Sequence, residues 1–251
     1  MYRKSASAVL AAVRMLFKSW LTLPLMIAVY GAFLLAVYLF VSTREATVAQ
    51  VILTFTVMIA APLLFFVLQS ASVNYTTSSS GLLHKTLRDT AKLIAVTLPV
   101  IGITLLAVYL VGKLQGSLAV NPETSQPSSP NALTTLIVVR YLLIGVVAPL
   151  ITIQLWIATS THGLRALLRN LGETLARAFA PQAVFIFAFG FLVFAVAPYF
   201  LMIQTIEIKR AWLEVSLLTA RVVISALLVL LGWVITIGSL SLINIRPEFQ
   251  K

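Results

Sequence analysis

Six stretches of about twenty apolar residues, none holding an aspartate or glutamate, leave this chain few folds to choose from. They run over residues 20–41, 48–70, 93–112, 134–158, 183–204 and 222–243. Each is long enough to cross the hydrocarbon of a bilayer as a helix. Open sheets cannot cross it, because their edge N–H and C=O groups would find no partners there, and these segments lack the in–out alternation of barrel strands. Composition agrees: 60% of the 251 residues are hydrophobic and 10% are charged, against about 25% charged in a soluble domain. The expected fold is all-α, a polytopic membrane helix bundle with six transmembrane helices, and residues 1–251 form a single integral membrane domain.

The net charge of +11 raises the question of nucleic acid, and the distribution answers it. No basic run interleaved with aromatic residues is present, so no nucleic-acid partner is expected. The basic residues flank the apolar stretches, where anionic lipid headgroups are the natural partners. Arg3, Lys4, Arg14, Lys18, Lys85, Arg88, Lys92, Arg165, Arg169, Arg177, Arg246 and Lys251 fall on one side of the expected topology. Arg44, Lys113, Arg140, Lys209, Arg210 and Arg221 fall on the other. The richer side carries both termini and is expected to be cytoplasmic, in a bacterial cytoplasmic membrane. The basic start is expected to lead into a retained first span, because the apolar run after it is too long for a signal-peptide core. Residues 114–133, rich in Pro, Ser and other polar side chains, are expected to be a loop on the far side.

A basic amphipathic segment followed by two spans occurs three times. Residues 5–18, 82–92 and 164–177 are the three segments, and Pro24, Pro99 and Pro181 follow them. In the third, Leu164, Leu167, Leu168, Leu171 and Leu175 make one face, while Arg165, Arg169, Glu173 and Arg177 recur every four residues on another. In the second, Lys85, Arg88 and Lys92 lie opposite Leu83, Leu87 and Ile94. Such segments suit the headgroup boundary, so all three are expected to be interfacial helices, the second and third each meeting the following span at an angle. The Lys and Arg named in these two are expected to contact lipid headgroups. Ala61-Pro62-Leu63 in span two matches Ala148-Pro149-Leu150 in span four, which supports a threefold repeat.

Candidate chemistry is sparse. No acidic residue lies within a span, so no intramembrane proton relay is expected. Arg140 and Arg221 sit in the outer third of spans four and six; there they either snorkel to outer headgroups or turn inward to hold an anionic group such as a lipid phosphate. His84 and His162 open amphipathic segments, too few for a zinc site, and with no cysteine in the chain no metal or other cofactor is expected. The Phe185 to Phe194 run decorates all of span five and reads as lipid contact and packing. Pro62, Pro149 and Pro198 are interior to their spans and are expected to kink them.

The basic residues 14–20 entering Leu21-Thr22-Leu23-Pro24, with echoes at 92–99 and 177–181, give the chain a resemblance. It resembles the broad bacterial group of six-span proteins that includes YciC-like proteins and the membrane domain attached to some glycerophosphodiester phosphodiesterases. That resemblance implies the architecture and carries no catalytic residue with it.

Three function classes follow. The first is a non-catalytic scaffold, assembly or accessory subunit of a membrane complex, with other membrane subunits or a second copy as partners. The second is a small-solute or lipid transporter or permease subunit. The third is an intramembrane enzyme.

Overall fold

The computed structural model describes residues 2–18, 21–43, 47–77, 82–119, 130–203 and 211–245. Nearly all of those residues are helical, with no strand among them. In order they form α1 (Tyr2–Lys18), α2 (Thr22–Ser42), α3 (Val48–Asn74), α4 (Leu82–Ala119), α5 (Pro130–Leu142), α6 (Ala148–His162), α7 (Leu164–Arg169), α8 (Leu171–Ala178), α9 (Pro181–Phe191), α10 (Ala197–Ile203) and α11 (Ala211–Ile245). Single π-helical turns, Leu143–Val147 and Leu192–Val196, join α5 to α6 and α9 to α10. Six of the resulting rods are long and apolar enough to cross a membrane. The chain is an integral membrane protein.

Several hydroxyl side chains inside the rods are satisfied within their own helix. Thr54, Ser72, Thr97, Thr152, Thr236 and Ser239 each donate to the carbonyl four residues earlier. In lipid, where water cannot serve, this back-bonding lets a polar residue sit in a spanning helix. The start of α3 uses a capping box: Thr47 Oγ1 accepts from the Gln50 N–H, and Gln50 Oε1 accepts from the Thr47 N–H.

The chain divides into two compact units, residues 1–91 with 180–251, and residues 92–179. In the first, α11 is the central helix and packs against α1, α3, α9 and α10. Close approach depends on glycine. A Cβ on Gly190 would collide with the Thr236 side chain, one on Gly232 with Phe194, and one on Gly238 with the Tyr75 hydroxyl. Small residues at helix crossings are how helices associate where lipid tails remove any hydrophobic drive. α1 lays a face of Ser5, Ala8, Ala12 and Leu16 into this unit, all four buried. In the second unit α6 is the buried helix, through Leu150, Ile153, Leu155, Trp156 and Ile157, with α7 and α8 packed on it.

The three basic segments take three different forms. Residues 5–18 lie within α1, a separate helix. Residues 164–177 do break from both neighbouring rods, at Gly163 (φ +83) and at extended Ala180, yet they form two helices, with Asn170 between them. Residues 82–92 are not a separate interfacial helix: α4 is unbroken for 38 residues, about 57 Å at 1.5 Å per residue. No Gly or Pro stands between Leu82 and Leu98 to end it, and Pro99 is accommodated within the helix.

The expected loop at 114–133 is shorter than its composition suggests. Residues 114–119 belong to α4, and α5 starts at Pro130, a residue suited to a first helical turn; 120–129 lie outside the described residues. The interior prolines differ among themselves. Pro149 and Pro198 each follow a π turn by two residues, and the Ala before each donates its N–H to the residue five earlier, Leu143 or Leu192. Pro62 sits in uninterrupted α-helix.

Candidate functional site

The last two turns of α3 are enclosed on every side: the eight consecutive residues from Leu68 to Tyr75 are all buried. Four of them, Gln69, Ser70, Ser72 and Asn74, are polar. This is the richest concentration of buried polar side chains among the described residues, and it lies wholly in the first unit.

Its geometry comes from helix spacing. On α4, Thr86, Asp89 and Thr90 fall at i, i+3 and i+4, one continuous face, and all three are buried. Ser70 Oγ donates to the Thr86 carbonyl at 2.8 Å, and Asn74 Nδ2 donates to Asp89 Oδ2 at 3.2 Å. Asn74 also reaches Ser70 Oγ at 3.4 Å. On the α11 side, Trp233 Nε1 donates to Gln69 Oε1 at 2.6 Å and the Tyr75 hydroxyl donates to the Val234 carbonyl at 3.4 Å. Thr76 Oγ1 meets Ser241 Oγ at 3.1 Å. Gln69, Ser70, Asn74, Tyr75 and Thr76 thus each reach another helix, while Ser72 bonds back within α3 to the Leu68 carbonyl. Leu16, Met26, Leu68, Ala71, Tyr75, Leu230 and Val234 seal the cluster with apolar contact.

Asp89 is the one acidic side chain here, and it is 0% exposed. A buried carboxylate demands partners, since desolvation of an ion costs several kcal/mol. The Asn74 amide supplies one. Arg88 Nε approaches Asp89 Oδ1 at 3.7 Å, a long contact from a side chain that remains largely in the open. Lys85, one turn earlier on the same helix, donates to Thr77 Oγ1 at 3.0 Å. Burial pushes the Tyr75 hydroxyl above its ordinary range near 10, so Tyr75 stays neutral and keeps its proton for Val234.

The cluster can lock helices together. It is poorly built for nucleophilic attack. Ser70 spends its proton on a backbone carbonyl and has the Asn74 amide, a donor, beside it where a base would be needed. Among the described residues no group of three or more His, Cys, Asp or Glu side chains lies together to hold a metal.

The residues singled out from the sequence fare differently. Arg140, on α5, is exposed; Arg221, on α11, is half-buried and has an interaction partner; the two belong to different units. Lys85 and Lys92 are half-buried and Arg88 is exposed. The leucines expected opposite them, Leu83 and Leu87, are exposed, and the buried face is the polar one. Arg165, Arg169 and Arg177 are all exposed, and Arg177 Nη2 pairs with Glu173 Oε1 at 2.7 Å. His84 and His162 are exposed, and His162 Nδ1 shares a hydrogen bond with Thr161 Oγ1. In the Phe run, Phe187 is buried, Phe185 and Phe189 are exposed, and Phe194 meets the Trp233 ring edge-on at 5.0 Å.

Sequence reasoning passed over Gln69, Ser70, Asn74 and Asp89. The signal was present: polar residues at helical spacing where an apolar run ends mark an inward face in a membrane protein. The second unit has a smaller counterpart, in which Trp156 Nε1 donates to Thr97 Oγ1 at 2.7 Å. Comparison with family models, with curated proteins and with solved structures finds no match.

Proposed function

We propose that this chain is a non-catalytic scaffold, assembly factor or accessory subunit of a larger complex in the bacterial cytoplasmic membrane, with both termini in the cytoplasm. The observation that carries the reading is a division among its glycines. Gly190, Gly232 and Gly238 are consumed by crossings inside the first unit. Gly31, Gly102, Gly112, Gly116 and Gly145 lie in spanning rods with nothing among the described residues within 4 Å of where a Cβ would stand. A helical glycine costs about 1 kcal/mol relative to alanine, and Gly112 and Gly116 have the four-residue spacing that lets a second backbone approach. Five of the six rods keep 22% or less of their most apolar stretch buried, while the α11 rod buries 44%. Their free faces suit partner helices, and the polar side chains of the α3 terminus are spent on internal bonds.

Purification from native membranes in a mild detergent, followed by mass spectrometry, tests this. A partner in fixed stoichiometry is the expected result, weakened by Gly112→Val with Gly116→Val at unchanged thermal stability of the isolated chain. Recovery as a lone chain with lipid sinks the reading. The topology is checked separately by labelling Ser125→Cys on this cysteine-free background. Reaction from outside intact cells is expected, and reaction only after the cytoplasm is opened is the contrary result.

One observation favours a second reading, a small-solute or lipid transporter. Two spanning rods carry π turns beside proline, a local geometry frequent at functional sites and hinges. Flux in reconstituted vesicles that falls in variants of the π turns, with the fold intact, would favour it over the scaffold.

A further inference from the structure

α7 and α8 lie between two spanning rods in sequence, and the circumference of α7 is divided into three sectors. Leu167 is buried against α6. Leu164 and Leu168, one turn apart, are 37% and 74% exposed, and Leu171 at the start of α8 continues them at 40%. Arg165 and Arg169, one turn apart, form the third sector, and neither has a carboxylate partner among the described residues. Glu173, the acid nearest in sequence, is taken by Arg177. Water does not suit the leucines, and hydrocarbon does not suit the arginines. Gly163, at φ +83, ends α6 and turns the chain away at the end of a rod long and apolar enough to span a membrane.

We propose that α7 and α8 form a binding surface for anionic phospholipid, with Leu164, Leu168 and Leu171 among acyl chains and Arg165 and Arg169 on headgroup phosphates. Guanidinium matches phosphate with paired N–H donors, so the two uncompensated arginines select an anionic leaflet over a zwitterionic one. This surface is separate from the open glycine faces and does not depend on a protein partner.

The test uses the full chain with Leu168→Cys carrying an environment-sensitive fluorophore. The protein is placed in nanodiscs of phosphatidylcholine alone, or of phosphatidylcholine mixed with phosphatidylglycerol. In the mixture the probe is expected to be quenched by brominated acyl chains and shielded from aqueous iodide, more so than in phosphatidylcholine alone. Native mass spectrometry should find phosphatidylglycerol enriched on the protein, with Arg165→Gln and Arg169→Gln each lowering that enrichment about fivefold. Three results overturn the proposal: a probe open to iodide in both lipids, a probe shielded from iodide yet untouched by bromine, or an enrichment indifferent to both arginines. The middle result would mean that protein covers the surface. Both arginines are exposed, so their variants should fold as the parent does, and unchanged thermal unfolding confirms that each comparison is fair.

Discussion

Asp89 and Asn74, fifteen residues apart in the chain, meet at 3.2 Å where the end of α3 lies against the start of α4. The amide donates, the carboxylate accepts, and both side chains are closed off from solvent. Asp89→Ala should lower stability by about 2–3 kcal/mol, the usual loss for a buried hydrogen bond to a charged group. Asp89→Asn, which keeps an acceptor, should lose less. Thermal unfolding in detergent measures both, and Glu173→Ala, at an exposed pair, is the control expected to change stability by about 0.5 kcal/mol or less.

Gly238 and Tyr75 share one crossing, so their substitutions should not add. Gly238→Ala puts a methyl group against the Tyr75 ring and hydroxyl and should cost about 1–3 kcal/mol through overpacking. Combined with Tyr75→Leu, which vacates that space, it should cost much less than the sum of the two. A cycle that closes additively would show that the contact is relieved some other way.

Alkaline pH gives an independent reading of the same tyrosine. In the unfolded chain Tyr75 ionises near its ordinary value of about 10, whereas burial holds it neutral to a higher pH in the folded state. Between those values the unfolded chain gives up a proton that the folded chain keeps, so this contribution is complete below about pH 10 and is lost as pH rises further. Tyr75→Phe should flatten that part of the pH dependence relative to the parent. An unchanged alkaline limb in the phenylalanine variant would count against the assignment.

In the second unit, Trp156→Phe and Thr97→Val each remove one half of the 2.7 Å hydrogen bond between α6 and α4. A double-mutant cycle should return a coupling of about 0.6 kcal/mol, the average for such bonds between membrane helices. No measurable coupling would make the contact incidental.

Gly163 should tolerate no side chain. Open space surrounds it, so Gly163→Ala meets no collision, but its φ of +83 lies where L-residues are strained. A loss of about 1 kcal/mol is expected from backbone alone, read as a lower unfolding temperature, while Gly172→Ala, also in open space with ordinary φ, should be neutral or stabilising.

Most of the architecture was legible because lipid imposes it. Length and lack of charge located six spans to within a few residues at most ends, and the break at Pro181 followed from the missing N–H. Residues 82–92 misled for a physical reason. Lys85, Arg88, Leu83 and Leu87 look like a helix for the headgroup layer, but the face that decides the fold is Thr86, Asp89 and Thr90, which turns toward α3. An amphipathic wheel scores apolar against polar and cannot tell which side meets protein. Asn170 likewise gives no sign in its leucine pattern that it divides 164–177 into two helices. The polar cluster itself depends on pairings such as Ser70 with Thr86 and Gln69 with Trp233, up to 164 residues apart, and no local pattern encodes those.

The π turns at Leu143–Val147 and Leu192–Val196 can be read as insertions. Each is one residue more than an α-helix needs over that length, placed where a proline two positions on would have broken the ladder. Counting along an ideal helix through such a turn misplaces everything upstream of it by about 100° around the axis. Arg140 and Trp156 therefore do not share the angular register that counting along an ideal helix would assign them, and neither do Phe187 and Tyr199. Removing the surplus residue from either turn would close it to ordinary α-helix and leave both halves of the span facing as they do now. The same deletion elsewhere in the rod would swing one half by more than a quarter of a circle and exchange the side chains it offers to lipid for those it offers to protein.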